Sequence, residues 1–431
     1  MKEELEALEA NNTWKLVPLP PTKVAIGCRW IYKAKLKADG SLEKYKARLV
    51  AKGYTQQAGI DFKDTFSPVA KVTTVRVLLG IAAVRKWHLI QLDINNAFLN
   101  GDLDEEVYME VPMGHPERKK GLVCRLTKSL YRLRQASRQW FHKFCSTLKQ
   151  NGFTQCKSDY SLFSTGSGDS KTFLLVYVDD IIIAGANLDM MMKVQLKLQS
   201  IFKLKILGDL KFFLGLELAK SSQGISLTQR KYTLSLLDDT NLLDYKPVTV
   251  PMDANLKLRA KEGDLIPDAS AYRRLIGRLM YLTISRPDIT FAVTKLTQFM
   301  SDPRMPHLQA AHQVLRYLKN APGQGILFSA ASQLNLSIYS DADWGSCLDT
   351  RRSTTGYCAF LGDSLITWKS KKQTVVSRSS TEAEYRSMAH ASCEVVWLIG
   401  LLQFFFSPSR FGQVILRQHL CSSIGIEPHL S

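Results

Sequence analysis

The sequence predicts an α+β protein of two or three domains, and three observations predict it. At 431 residues the chain is longer than a single hydrophobic core usually grows to. Hairpin signals and helical periodicities are interspersed through most of its length. From about Leu334 the pattern changes to three short strands and then a long helix, which marks a separate α/β unit.

Composition bounds the class. Hydrophobic residues make up 45% and charged residues 22%, an ordinary globular balance. Lysine plus arginine number 57 against 39 acids, a net charge of +18, and such an excess favours a polyanionic partner. Met1 to Ala10 reads as an acidic helix and not as a secretion signal, so a cytoplasmic or nuclear protein is expected. The most apolar stretches, Phe173 to Ala186 and Val395 to Phe406, are too short to span a bilayer, so no membrane partner is expected. None of the eight cysteines falls in a CxxC pair, and buried free thiols are the default reading. The eight histidines show no ligand spacing to them, which makes zinc improbable.

The elements follow in order. Trp30 to Arg48 alternates apolar and basic residues around the turn Ala38-Asp39-Gly40, so it reads as a hairpin with one cationic face. Thr74 to Lys86 is helical and His88 to Ile94 a strand ending near an acid. Leu126 to Asn151 reads as an amphipathic helix rich in basic residues. Thr172 to Gly185 is a hairpin with two aspartates at its tip. A polar run from Asp253 to Ala271 reads as a connector and puts a boundary near Asp253. Helices are expected over Tyr272 to Met300 and His307 to Asn320. Strands are expected at Leu336 to Ser340, Thr355 to Leu361 and Ser364 to Trp368, with a long helix from Thr381.

Two adjacent aspartates, Asp179 and Asp180, between strongly apolar flanks repel each other beside a water-poor sheet. Alone, such a pair is more often a plain turn. Asp93, at the end of its own strand, changes the balance: if that strand pairs with the hairpin, the three carboxylates converge. Three carboxylates suit two divalent cations of the kind that assist phosphoryl transfer, and magnesium fits best, with manganese as the alternative. A position 93 remote from the 179–180 turn would remove this reading.

The segments YKARLVAKGYTQ, DTFSPVAKVTTVR, QLDINNAFLNGDLDEEVYM, SLYRLRQASRQW, LLVYVDD, LGDLKFFLGLE and YRRLIGRLMYLTISRPDI resemble, in order and spacing, the copia-type retrotransposon reverse transcriptase. The resemblance runs from about Asn11 to Phe405. It implies a right-hand polymerase with fingers, palm and thumb over residues 11–252, a linker and connection over 253–333, and a ribonuclease H-like domain over 334–431. It implies RNA template, DNA primer and deoxynucleoside triphosphates as partners, two magnesium ions as cofactor, and further polyprotein segments as companions. Asp93, Asp179 and Asp180 resemble the catalytic palm carboxylates, and Arg48 the arginine that meets the incoming triphosphate. Phe98 resembles the bulky residue that collides with a 2′-hydroxyl, which also disfavours an RNA-synthesising polymerase. Gln135 falls where the family has a glutamine near the nascent base pair, and Leu214 and Gly215 resemble the primer grip. One departure stands out: the family usually has glycine where this chain has Arg132, so a left-handed backbone there would make arginine a handicap.

IYSDADWGS and SSTEAEYRSMA resemble the first strand and first helix of a ribonuclease H fold, with Asp341 and Glu382 matching its first two metal ligands. Glu382 also fits a capping box begun by Ser379, and Asp343 fits a strand-end acid. The chemistry needs two further aspartates, and none follows Asp363. From about Phe406 the family pattern stops. Polymerase activity without RNA-strand cleavage is therefore expected, and the alternative is a decayed remnant that only binds nucleic acid.

Overall fold

A computed structural model describes residues 1–36, 39, 41–119, 121–241, 245–406 and 414–418. The chain begins with α1 (Lys2–Ala10), β1 (Trp14–Pro18), the long hairpin of β2 (Cys28–Leu36) and β3 (Leu42–Ala51), α2 (Val72–Val84) and β4 (His88–Ile94). Next come β5 (Asp102–Glu110), β6 (Leu122–Lys128), α3 (Ala136–Gln150), β7 (Thr154–Gln155), β8 (Leu162–Thr165), β9 (Thr172–Tyr177), β10 (Asp180–Gly185) and α4 (Leu188–Gln199). Strands β11 (Leu204–Asp209), β12 (Phe212–Phe213), β13 (Leu216–Lys220) and β14 (Gly224–Thr228) lead to helices α5 (Arg230–Asp239), α6 (Ala269–Leu282), α7 (Thr290–Thr297) and α8 (Met305–Asn320). The last elements are β15 (Ile326–Ser329), β16 (Leu336–Ala342), β17 (Thr354–Leu361), β18 (Ser364–Lys372), α9 (Ser380–Phe405) and β19 (Val414–Gln418). This mixed α/β content agrees with the expected class.

The chain divides into two compact units. The first comprises Met1–Ala70, Ile90–Ile183 and Asn187–Gly208, and the second comprises Lys71–Leu89, Ala184–Ala186 and the described residues from Asp209 onward.

At the heart of the first unit is a six-stranded sheet in the order β11-β4-β10-β9-β8-β7. The near-continuous apolar text of β9 and β10 is explained by burial, since Phe173 to Val176 and Ile181 to Gly185 are all buried. Trp140, Phe144 and Leu148 recur every four residues along α3, and Met191, Val194 and Leu198 do so at helical spacing along α4. Both stripes join Leu92, Ile94, Leu174, Val176, Ile181 and Ile183 in one core. A second sheet, β1-β6-β5, and the base of the β2–β3 hairpin share another core with Leu5 and Leu8 of α1. The hairpin register sets Lys33 against Lys46, Lys35 against Lys44 and Ile31 against Arg48, the expected cationic face. Of its turn, Ala38 and Gly40 lie outside the described residues. The expected helix from Leu126 is corrected: Leu126 to Lys128 finish β6, because Leu126 pairs with both Trp14 and Val107, and the helix starts only at Ala136.

In the second unit, α2 is buried from Thr74 to Ala83. It packs on β14, β15 and β18, and Gly80 lies against Phe328 and Leu361. Arg76, 6% exposed, stacks 3.8 Å over the Trp368 ring and donates to the carbonyls of Ile366 and Ile284. Burial of its guanidinium holds the Arg76 pKa down at about 9. The expected helix over Tyr272 to Met300 is broken at Arg286 and Pro287, since proline lacks an N–H and disfavours helix at the residue before it. The polar stretch from Asp253 has no regular structure over most of its length, yet Met252 and Leu258 are buried with α5 to α8. His307 and Arg304 pin it, the former by its Nε2 at the Arg259 carbonyl and the latter by donating to the carbonyls of Ala260 and Gly263. The division expected near Asp253 does not coincide with the compact units, because β14 pairs with β15 and ties residues 224–227 to 326–329.

The C-terminal sheet runs β18-β17-β16-β19, with β19 parallel to β16. Residues 407–413 and 419–431, most of the divergent tail, lie outside the described residues. Helix α9 is 26 residues long with a mean hydropathy of 1.4 over its most apolar window, so by length and composition it could cross a membrane, which corrects the shorter stretch read from the sequence. Its stripe of Ala383, Ser387, Ala391, Leu398, Leu401 and Leu402 is buried, and Ser387 Oγ bonds the carbonyls of Asp341 and Gly356, as in a helix packed on a sheet. The described cysteines are free thiols, with Cys124, Cys145 and Cys156 buried and Cys393 exposed.

Candidate active site

Strand β4 lies next to β10, and this pairing brings Asp93 beside the β9–β10 turn. The Ile94 N–H donates to the Asp179 carbonyl at 2.9 Å, so the residue after Asp93 is bonded directly to the first of the paired aspartates. Within the turn Val178 has φ 58, a left-handed conformation that a β-branched residue adopts only at a cost. Its carbonyl accepts from Trp140 Nε1 at 2.8 Å.

Both turn carboxyls are pushed above the ordinary carboxylate range. For Asp179 the largest cause is lost hydration, opposed by its own backbone N–H; the charge of Asp93 raises it further and that of Arg48 lowers it. For Asp180 lost hydration again leads, the charge of Asp179 follows, and a hydrogen bond from Gln91 Nε2 at 3.3 Å opposes both. The charge of Asp93 thus reaches both turn acids. Among the described residues, no group of three or more His, Cys, Asp or Glu side chains is drawn together closely enough to enclose a metal ion.

Arg48, on β3, stands with its guanidinium 4.7 Å from the centroid of the Tyr131 ring. Its Nε is buried with no hydrogen-bond partner among the described residues. Tyr131 in turn meets Phe98 edge-on, at 5.3 Å and 86°, and its hydroxyl donates to Asn96 Oδ1 at 3.3 Å. The result is a chain of contacts from Arg48 through Tyr131 to Phe98 near the carboxylates, whose charges help hold the Tyr131 phenol up after burial, the largest cause. Tyr131 sits inside the SLYRL segment, where nothing in its own chemistry marks it off from a core aromatic.

Gln135 is fully buried, and its amide is engaged internally. Its Oε1 accepts from Gln56 Nε2 at 3.1 Å and its Nε2 donates to the Asp61 carbonyl at 3.1 Å. The preceding turn carries Arg132 at φ 70, the left-handed backbone that glycine adopts freely. The Arg132 carbonyl faces Gly53, where a Cβ would stand only 2.0 Å from the oxygen.

Leu214 and Gly215, in the second unit, also have positive φ, 52 and 75. Tyr281 donates its hydroxyl to the Leu214 carbonyl at 2.6 Å and would meet a Gly215 Cβ at 2.2 Å. What approaches this glycine within the chain is thus a tyrosine hydroxyl.

Asp341 lies at the end of β16 with Gly356 opposite. Glu382 is turned to other work: its Oε2 accepts from the Arg378 N–H at 2.7 Å, its Oε1 pairs with Arg386 at 2.8 Å, and its own N–H donates to the Ser379 cap. These bonds hold the Glu382 carboxyl below its usual range. The acid that reaches β16 is Glu384, whose Oε1 accepts from the Ala342 N–H at 3.4 Å. Helical spacing carries the signal, since Glu384 shares a face with the buried Ser387 and Ala391, whereas Glu382 does not. Asp343 binds the Ser346 hydroxyl at 2.6 Å and the Thr354 N–H at 2.8 Å, as a turn-holding acid does.

Residues 11–254 match the family described as reverse transcriptase (RNA-dependent DNA polymerase). The Retrovirus-related Pol polyprotein from transposon RE2 of Arabidopsis thaliana is 47% identical over 404 residues, 93% of this chain and 28% of that protein. The corresponding polyprotein from transposon TNT 1-94 of Nicotiana tabacum is 39% identical over 418 residues, 94% of this chain and 31% of that protein. A putative transposon Ty5-1 protein of Saccharomyces cerevisiae is 32% identical over 308 residues, 70% of this chain and 100% of that protein. The chain spans less than a third of the length of the two plant polyproteins. Its match to the family across residues 11–254, continued by the plant transposon relatives, means that this chain belongs to the reverse transcriptase (RNA-dependent DNA polymerase) family, as a copia-type retrotransposon segment.

Proposed function

We propose that the chain is an RNA-directed DNA polymerase, extending a DNA primer on an RNA template from deoxynucleoside triphosphates. One observation carries this reading above the rest: β4 pairs with β10, so Asp93 stands beside the Asp179–Asp180 turn, where its charge adds to burial in raising the turn carboxyls. In this reading the β2–β3 hairpin serves as fingers and the six-stranded sheet as palm. The thumb, connection and ribonuclease H-like parts follow in the second unit.

The donor set suits magnesium, with manganese as the alternative. Hard carboxylate oxygens repel one another until a cation relieves them, and after burial the charge of Asp179 is what raises Asp180. Magnesium prefers such a site, completing its shell with water and substrate phosphates. Asp93, Asp179 and Asp180 would hold two ions, which when bound supply a more acidic primer hydroxyl and charge neutralisation at the leaving phosphate. Arg48, with an unbonded buried Nε, is the group that receives the triphosphate. Tyr131 holds the guanidinium on one side and the Phe98 ring on the other, and that ring closes the space a 2′-hydroxyl needs. Ribonuclease H activity is absent from the proposal, since Glu382 is spent on its cap and ion pair and no aspartate follows Asp363. Cytoplasmic or nuclear residence, where RNA and nucleotides meet, belongs to the same proposal.

Primer extension by the purified chain with magnesium tests it. Asp179→Asn is expected to abolish synthesis while leaving the unfolding temperature equal or higher, and synthesis that persists in this variant ends the assignment. Nucleic-acid binding without extension by the unaltered chain would leave only the remnant reading.

A further inference from the structure

The Asp179 backbone is held on both sides. Its own carbonyl accepts from the Ile94 N–H, next to Asp93, and the carbonyl before it, that of Val178, accepts from the Trp140 indole at 2.8 Å. The two peptide planes flanking Asp179 therefore have one external anchor each. They determine where the Asp179 side chain leaves the turn, since the Cα sits between them.

The second anchor is unusual in three respects. Trp140 is 2% exposed, so its N–H meets no solvent and its direction is set by packing. Phe144 at 5.3 Å and Phe202 at 5.4 Å fix the ring plane. The carbonyl it holds belongs to Val178 at φ 58, a conformation a valine leaves readily unless something outside the turn retains it. A cavity of about 10 Å³ lined by Ser67, Pro68, Ser137 and Phe141 adjoins the indole and Val178, so close packing does not hold the turn from that side.

We propose that Trp140 is a positioning residue: its indole N–H, acting through the Val178 carbonyl, holds the Asp179 carboxylate in register with Asp93 for the cations of nucleotidyl transfer. The inference rests on the polymerase reading of these acids. It differs from a packing role, because the N–H and not the ring volume is what matters.

Trp140→Phe keeps an aromatic ring and removes the donor. Expected are a fall in kcat for primer extension of about tenfold or more, the scale on which a misplaced reacting group acts, and little change in the nucleotide KM. A severalfold higher magnesium requirement and a severalfold weaker manganese affinity, the latter read without turnover by electron paramagnetic resonance, are also expected. Adding Val178→Gly, which makes the left-handed turn unstrained, is expected to restore part of both. If Trp140→Phe lowers only the unfolding temperature, with kcat, magnesium requirement and manganese affinity unchanged, the tryptophan is a core residue and the inference falls. If the unaltered chain neither extends a primer nor binds manganese, the reading of the acids fails, and the inference with it.

Discussion

Replacing Arg132 with glycine tests whether the turn before α3 carries stored strain. At φ 70 a residue with a Cβ costs about 1–2 kcal/mol relative to right-handed backbone. The turn cannot relax: Ala51 donates to the Tyr131 carbonyl at 3.0 Å, Leu133 to the Leu130 carbonyl at 3.2 Å, and Gly53 closes on the Arg132 oxygen. Glycine removes that cost but adds about 0.4–1 kcal/mol of unfolded-chain entropy. The difference is a net stabilisation of roughly 0.5–1 kcal/mol, or an unfolding temperature higher by about 2 °C. Scanning calorimetry reads the shift, and primer extension reads whether Arg48 and Phe98, joined by the adjacent Tyr131, are better placed. Arg132→Ala separates backbone from charge, since it removes the guanidinium and keeps the Cβ. A glycine variant that melts lower, or an alanine variant that gains as much as glycine, would refute the strain argument.

Gly215→Ala sets a methyl against the Tyr281 hydroxyl at positive φ, and a loss of about 2 kcal/mol is expected, of which Tyr281→Phe in the same chain restores roughly half by chemical denaturation. Phe98→Ala is expected to weaken discrimination against ribonucleotides about tenfold in steady-state insertion, and unchanged selectivity would remove the gate role. Because the folded chain holds protons on Asp179 and Asp180 more tightly than the unfolded chain, the stability these two groups contribute is full below the ordinary carboxylate range and is lost as pH rises through the raised values. The Asp179→Asn and Asp180→Asn double variant should therefore gain in melting temperature over the unaltered chain between about pH 4 and about pH 7. Magnesium should close that gap.

Much of this architecture was legible because burial writes itself into strands and helices. His88 to Ile94 is the strand expected, the 172–185 hairpin has the expected turn, and the order of three strands and a helix after Leu334 holds. Two kinds of information were missing from periodicity. Leu126 to Lys128 look helical in one dimension but are claimed by cross-strand partners, Trp14 and Val107, which lie 112 and 19 residues upstream of Leu126. The polar stretch after Asp253 looks like a linker because its bonds run through backbone carbonyls, which no side-chain pattern reveals. At the candidate site, the nearness of Asp93 to the 179–180 turn follows from strand pairing, whereas Trp140 and Tyr131 make their contacts through a carbonyl and a ring face, which carry no charge a sequence pattern shows. Glu384 was readable from the helical wheel but was passed over for Glu382, which matched a capping box as well.

Helix α2 has an implication for how such proteins are cut and inherited. Its sequence lies inside the matched stretch 11–254, as does β14 on which it packs, while the rest of its covering, Phe328, Leu361, Ile366 and Trp368, comes from far beyond that stretch. A fragment ended at the family boundary would keep β14 on the helix but bare the apolar side that β15 and β18 cover and strip its arginine of the stacking ring, and poorly soluble material is the expected yield. Whatever chemistry the C-terminal sheet has, it also serves as the lid on a helix that belongs, by sequence, to the matched stretch.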